Sequence, residues 1–129
     1  MTYSLEIPIE FAHCDPAGIV YFPRFVEMAQ RVVENYFIDE LDHPFSAMVG
    51  RGEGVPAVRL EVDFAKPAQL GDRLQWQLEV EHLGRTSIRF LITAEDRLTV
   101  RLTVVWVGAD MVPMPVPDPV RTKMGTNHA

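Results

Sequence analysis

Along much of the chain, apolar and polar residues alternate one by one. "SLEIPIEF" (residues 4–11) sets Leu5, Ile7, Ile9 and Phe11 on one face, with Glu6 and Glu10 on the other. "VRLEVDF" sets Val58, Leu60, Val62 and Phe64 against Arg59, Glu61 and Asp63. "LQWQLEVE" sets Leu74, Trp76, Leu78 and Val80 against Gln75, Gln77, Glu79 and Glu81. The period continues through Ile88, Phe90 and Ile92, and again through Leu98, Val100, Leu102, Val104 and Trp106. Successive strand side chains point to opposite faces, so a period of two is the mark of a sheet with one buried face. Five strands are predicted. Pro8 has no N–H to give to an inner ladder, which assigns the first strand to an edge or a bulge.

One stretch follows a different period. In "PRFVEMAQRVVENYFIDE", Phe25, Met28, Ala29, Val32, Val33, Tyr36 and Phe37 recur at helical spacing, with Arg24, Glu27, Arg31 and Glu34 opposite. A single long helix is predicted from Pro23, whose missing N–H is no loss in a first turn. About fifteen helical residues make a rod of roughly 22 Å. Strands of eight to ten residues reach roughly 26–33 Å and can wrap it. Residues 41–54 are predicted to join helix to sheet through a short helical turn. The proline-rich tail 110–129 is predicted to run extended over the surface before fraying. Strand, helix, then four strands is an α+β order within one domain, 1–129. One helix cannot cover both faces of five strands, and two sheet edges stay open, so a homo-oligomer is expected.

Charge narrows the partners. The net charge is −6 and no Lys/Arg block exists, which argues against nucleic acid but leaves room for a small anion held by two or three arginines. Cys14 is the only cysteine, so no disulfide framework and no Cys/Cys metal site is expected; His43, His82 and His128 stand at no ligand spacing, and no metal is assigned. The N-terminal segment lacks a basic stretch followed by an apolar core, and no apolar run approaches membrane-spanning length. A cytoplasmic protein with no membrane partner is the expectation.

Three short segments carry candidate chemistry. Asp15 precedes Pro16 and Gly18, which by itself is turn chemistry. It also falls between a buried strand and the start of the sole long helix, where unpaired N–H groups can polarise a carbonyl. A carboxylate there is placed as a nucleophile or general base. Neighbouring His13 and Cys14 point to opposite sides of an extended segment, so a Cys–His pair is not expected. His13 can share a face with Asp15 and orient it, line a pocket, or simply be structural. "KPAQLGDRL" (residues 66–74) reads as a tight turn with Asp72 capping it. In "HLGRTSIRF" (residues 82–90), Arg85 and Ser87 follow Gly84 at a strand start, either as a solvated hairpin end or as a phosphate contact.

"FAHCDPAGIVYFPRFVEM" resembles the signature of the 4-hydroxybenzoyl-CoA thioesterase family, hotdog-fold acyl-CoA thioesterases. "DFAKPAQLGDRL" and "LGRTSIRF" fall where that family has its Gly-Asp turn and its Arg-x-Ser strand start. The resemblance spans roughly residues 4–107. It implies a five-stranded antiparallel sheet wrapped around one long helix, and hydrolysis of an acyl-CoA thioester, aromatic or aliphatic, at a subunit interface. It implies Asp15 as the catalytic carboxylate, the Phe22 backbone N–H as donor to the thioester carbonyl, and Gly18 as the residue that lets the loop approach substrate. It further implies a contact to the CoA nucleotide end from Arg85, with Ser87 beside it; His13 as a pocket-lining residue and Tyr21 as an aryl-facing wall are substrate contacts read from the residues themselves. No cofactor is implied beyond coenzyme A as part of the substrate, and a dimer of dimers is. The sequence departs from the family at His13, where some relatives have a second acid, and at Thr86, where a basic residue can stand. The alternative is a hotdog module that binds acyl-CoA or an acyl carrier without hydrolysing it.

Overall fold

The computed structural model describes residues 2–128. Strands β1 (Tyr3–Pro8), β2 (Ala57–Phe64), β3 (Arg73–Leu83), β4 (Ser87–Ala94) and β5 (Leu98–Val105) form one sheet in the order β1-β3-β4-β5-β2. Every pairing is antiparallel. Pro8 ends β1, and β1 is an edge. Helices α1 (Phe22–Asp39), α2 (Phe45–Gly50) and α3 (Asp118–His128) complete the fold.

Period becomes burial with little loss. Trp76, Ile88, Phe90, Ile92 and Val100 are fully buried on the inner sheet face. They pack on α1, whose Phe25, Met28, Ala29, Val32, Val33, Tyr36 and Phe37 are all buried. The helix has 18 residues and is about 27 Å long, longer by nearly a turn than its apolar spacing alone requires. It begins at Phe22, so Pro23 is its second residue. The sheet lies along one side of this helix, and its residues and those of α1 form the core.

Three expectations are corrected. Phe11 was placed on the buried strand face but is 82% exposed. Beyond Pro8 the chain leaves the ladder, exchanging Ile9 N to Asp72 O and Gly71 N to Ile9 O instead, and Phe11–His13 then form a short 3-10 turn. Val58, Leu60 and Phe64 of β2 were also placed on a buried face, yet they are 60%, 47% and 49% exposed. β2 is the other sheet edge, and α1 covers it only in part, meeting Phe64 through Phe22 and Phe25.

The third correction is the tail. Residues 118–128 are helical, not extended. Val116, Val120 and Met124 recur every four residues and are buried, and Lys123 Nζ donates to Leu41 O at 2.9 Å. Pro113, Pro115, Pro117 and Pro119 mask this in the sequence. Proline stops a helix interior but suits a first turn, and Asp118 adds a favourable charge there.

Candidate active site

Residues 13–21 double back on themselves. Asp15 N donates to Ile19 O and Tyr21 N to His13 O, both at 2.9 Å, and Cys14 bridges Val20 across the antiparallel pair. Gly18 closes the turn with its N–H on Asp15 O at 2.9 Å. Its φ of +81° lies in the left-handed region, where a side chain would be strained. The tip is an Asx turn: Asp15 Oδ1 accepts the Ala17 N–H at 2.9 Å. Among the described residues Oδ2 has no partner. Turn chemistry therefore occupies one oxygen and leaves the other.

The alternation across this hairpin sorts its side chains. Val20 is buried and Cys14 packs against the core, so His13, Asp15 and Tyr21 face the other way. Cys14 and His13 do not form a pair. His13 Nδ1 accepts the Glu10 N–H at 2.9 Å, which leaves Nε2 as the ring's donor. His13 lines a polar groove with Arg24, Glu27 and Arg31, on the helix face opposite Phe22.

A second turn supports the hairpin. Val20 N donates to Ala68 O at 2.9 Å and Leu70 N to Gly18 O at 3.1 Å. That turn is itself held by Asp72 Oδ2, which accepts the Gln69 N–H at 2.9 Å, and by Gly71 at φ +95°. "KPAQLGD" thus acts as the bed on which the Asp15 loop lies.

The hairpin ends where α1 starts. Arg24 N donates to Tyr21 O at 2.8 Å, Pro23 has no N–H, and the Phe22 N–H has no partner among the described residues. This amide stands at the positive end of the helix. Tyr21 and Phe22 are 51% and 59% exposed. Their rings meet edge to face at 5.5 Å, and Phe22 meets Phe64 at 6.1 Å. Beside them lies an open apolar cavity of about 270 Å³, walled by Phe22, Phe25, Phe64 and Pro67.

A larger cavity of about 420 Å³ lies farther along α1, walled by Gln30, Met48, Glu53, Pro56, Val107 and Met111. Phe22, Val26 and Gln30 are four residues apart and share a helix face, so the two cavities open along the same side of α1. Asp15 lines neither within the single chain.

The wall of the larger cavity was not signalled by any motif. Glu53 Oε1 accepts the Trp106 Nε1–H at 2.9 Å, and Glu53 Oε2 pairs with Arg51 Nε at 3.2 Å. Arg51 Nη2 lies 2.9 Å from His43 Nε2. Burial first, and the Arg51 charge second, hold the His43 imidazole below its ordinary pKa. These four residues span 43–106 in the chain, and only the folded loop brings them together.

Arg85 and Ser87 are not brought near Asp15. They sit on the β3–β4 hairpin, with Arg85 exposed and Ser87 half-buried. The Asp15 hairpin contacts residues 68–70, just before β3 begins, whereas Arg85 follows its end. The 11 residues of β3 separate the two, roughly 35 Å of strand.

A five-stranded antiparallel sheet packed on one long helix, with a carboxylate-bearing turn at that helix's start, is the hotdog fold. Residues 9–124 match the Thioesterase-like superfamily, and the chain belongs to that family, as the Asp-Pro-Ala-Gly resemblance implies. Over 91 residues it is 33% identical to the 1,4-dihydroxy-2-naphthoyl-CoA hydrolase of Synechococcus elongatus, covering 67% of this chain and 65% of that protein. Over 86 residues it is 36% identical to the 4-hydroxybenzoyl-CoA thioesterase of Pseudomonas sp. strain CBS-3, covering 65% of this chain and 61% of that one. The chain thus spans a little under two thirds of the length of both relatives. The crystal structure of a 1,4-dihydroxy-2-naphthoyl-CoA thioesterase from Synechocystis superposes with a TM-score of 0.86 at 23% identity, over 97% of this chain and 96% of that one. A thioesterase-superfamily structure from Jannaschia sp. CCS1 superposes with a TM-score of 0.89 at 21% identity, over 99% and 94%. Among the described residues no helix is long and apolar enough to cross a membrane.

Proposed function

We propose that this chain is an acyl-CoA thioesterase that hydrolyses an aromatic acyl-CoA to free acid and CoA, with Asp15 and the Phe22 N–H as its reacting pair. The observation that carries this is the 13–21 hairpin: its tip bears a carboxylate with one free oxygen, and its end runs into the unpaired first amide of an 18-residue helix. A thioester leaves as a thiolate whose conjugate acid has a pKa near ~8.5, so no strong acid has to assist. The demanding steps are holding charge on the carbonyl oxygen and delivering a nucleophile. The Phe22 amide meets the first, and losing one such donor typically costs about 100–1,000-fold in rate. Asp15 meets the second. Either Oδ2 bonds to the acyl carbon as the thiolate leaves, giving a mixed anhydride that water then cleaves, or the carboxylate takes a proton from the attacking water. Water is the only co-reactant in both routes.

Two features support an aromatic acyl group: the exposed rings of Tyr21, Phe22 and Phe64 around one cavity, and the aryl-CoA substrates named for the relatives above. The site is completed by a second copy. Antiparallel pairing of two β2 edges covers Val58, Leu60 and Phe64, closing an edge that otherwise stays open. The two-fold axis reverses the second sheet, so its larger cavity meets the first copy's Phe22. Its 84–86 loop then lies at the end that holds the first copy's Asp15. Two such pairs make the tetramer that the family resemblance implies. A cytoplasmic location is part of the reading, in keeping with a free Cys14.

The rival, a module that binds acyl-CoA or an acyl carrier without hydrolysis, draws on the Asx bond, because a binding loop needs Asp15 only as a turn. Thiol release from a panel of aryl and aliphatic acyl-CoAs separates the two. Catalytic release from aryl thioesters supports the thioesterase; tight binding without release leaves the binding module.

A further inference from the structure

The loop bearing Arg85 is held by an element outside the motifs that marked it. All three of its carbonyls are taken. Arg121 Nη2 of α3 donates to Gly84 O at 2.7 Å and to Arg85 O at 3.1 Å. Val116 N, at the approach to α3, also donates to Arg85 O at 2.9 Å, and Trp106 N donates to Thr86 O at 2.7 Å. Gly84 N closes the hairpin on Ser87 O at 2.8 Å. A Cβ at Gly84 would stand 2.8 Å from Ser87 Oγ, so any larger residue there would have to turn the Ser87 hydroxyl aside. With the backbone pinned on this side, the Arg85 side chain projects outward, exposed and without a partner among the described residues.

We infer that Arg121 is a positioning residue: through α3 it fixes the 84–86 loop so that Arg85 is presented, pre-ordered, to a phosphate of the CoA nucleotide end. This rests on the thioesterase reading for its ligand. The chemistry follows from two roles for one residue type. Arg121 is half-buried and its Nη2 donates to two neighbouring carbonyls; the planar guanidinium that directs this nitrogen has no equivalent in a flexible lysine ammonium. Arg85 keeps its own fork free for an anion, the arrangement in which a guanidinium binds phosphate most strongly. Ordering the loop beforehand removes an entropy cost that binding would otherwise carry. α3 stays in place by other means, through buried Val116, Val120 and Met124 and the Lys123 contact to Leu41 O. Arg121 can therefore be changed without removing the helix.

The test compares ligands with and without the nucleotide. Arg121→Ala, Arg121→Lys and Arg85→Ala are measured for calorimetric binding of CoA and of pantetheine, and for KM and kcat on one aryl group carried by CoA or by pantetheine. Circular dichroism and a thermal melt of each variant establish that it is folded. The expected result is about a tenfold loss of CoA affinity and an equal rise in KM for the CoA thioester in Arg121→Ala. Pantetheine binding, pantetheine-thioester KM and kcat stay at wild-type values, and Arg121→Lys falls between. The double variant Arg85→Ala/Arg121→Ala is no worse than Arg85→Ala alone, since both changes remove one contact. Arg121→Ala weakening pantetheine as much as CoA overturns the inference and leaves a purely structural arginine. Arg85→Ala with unchanged CoA binding overturns it as well, because there is then no contact to position. CoA binding is read without turnover, so absence of hydrolysis would sink the thioesterase reading alone.

Discussion

Asp15 Oδ1 accepts the Ala17 N–H at 2.9 Å, so the residue proposed to meet the substrate also closes its own turn. This separates two substitutions that are usually treated alike. Asparagine keeps a side-chain oxygen for the Ala17 amide and preserves the Asx turn. Alanine loses turn and carboxylate together. Asp15→Asn is expected to melt like the wild type, bind CoA normally and turn over at least ~100-fold more slowly. Asp15→Ala is expected to lose the same activity and also some thermal stability. Near-normal thiol release by Asp15→Asn would remove Asp15 from the reaction.

The β2 edge supplies the second prediction. Leu60 is 47% exposed in the single chain yet lies at the centre of the edge through which two copies are proposed to pair. Leu60→Glu puts like charges against each other at that centre without disturbing the fold of one chain. Light scattering is expected to report a monomer with an unchanged circular dichroism spectrum, and turnover is expected to fall with the lost partner. An active Leu60→Glu monomer would show that one chain completes the site.

How much of this was legible in the sequence depends on where each residue's partners lie. Trp76, Phe90 and Val100 could be placed because a period of two states burial directly, and both of their partners, neighbouring strands and α1, belong to the same chain. Val58, Leu60 and Phe64 carry the same period but are exposed, because alternation records which face is apolar and not what covers it. The Asp15 turn could be placed because its chemistry is local, within four residues. The Glu53–Trp106 bond and the Arg121 contacts could not, since they join positions 53 and 37 residues apart that share no pattern.

The distance between Asp15 and Arg85 yields a third prediction. The length of β3 keeps them apart in one chain, so a substrate that touches both draws them from two chains. Asp15→Asn protomers are expected to be nearly inactive, and Arg85→Ala protomers to be weak at low acyl-CoA. If the two residues act across the two-fold, mixing the variants and allowing subunits to exchange restores one intact site per hybrid dimer. Random exchange then gives about a quarter of all sites wild-type affinity. Activity at low substrate is expected to exceed the sum of the separate variants. A strictly additive mixture would place both residues in one chain's site.

The helical tail is the fourth case. Met124, in the last turns of α3, is fully buried. Met124→Ala removes core packing, and the expected cost is about 2–5 kcal/mol in chemical denaturation. An extended, fraying tail would tolerate the change within about 0.5 kcal/mol. The size of the loss therefore distinguishes the two conformations in solution.

His43 gives the pH dependence. Arg51 Nη2 lies 2.9 Å from His43 Nε2, a contact in which the arginine donates and the ring nitrogen carries no proton. Burial, then the Arg51 charge, lower the His43 pKa, with Lys123 acting in the same direction and Glu53 and Asp42 opposing. In the unfolded chain the imidazole titrates near ~6.5. The folded pKa is the lower one, so as pH falls the unfolded chain binds protons first. The stabilisation is complete above the unfolded pKa and is lost as pH drops through the folded one. The wild-type melting temperature is expected to fall between about pH 7 and about pH 5, and that of His43→Gln to fall less, since glutamine offers Arg51 an acceptor that does not titrate. Parallel curves would assign the acid sensitivity to other groups. Function follows the same chain of contacts: His43 holds Arg51, Arg51 holds Glu53, and Glu53 walls the 420 Å³ cavity. If the acyl group lies against that wall, as proposed, protonating His43 loosens it, and KM for an aryl thioester is expected to rise over the pH range in which stability falls, while His43→Gln holds its KM.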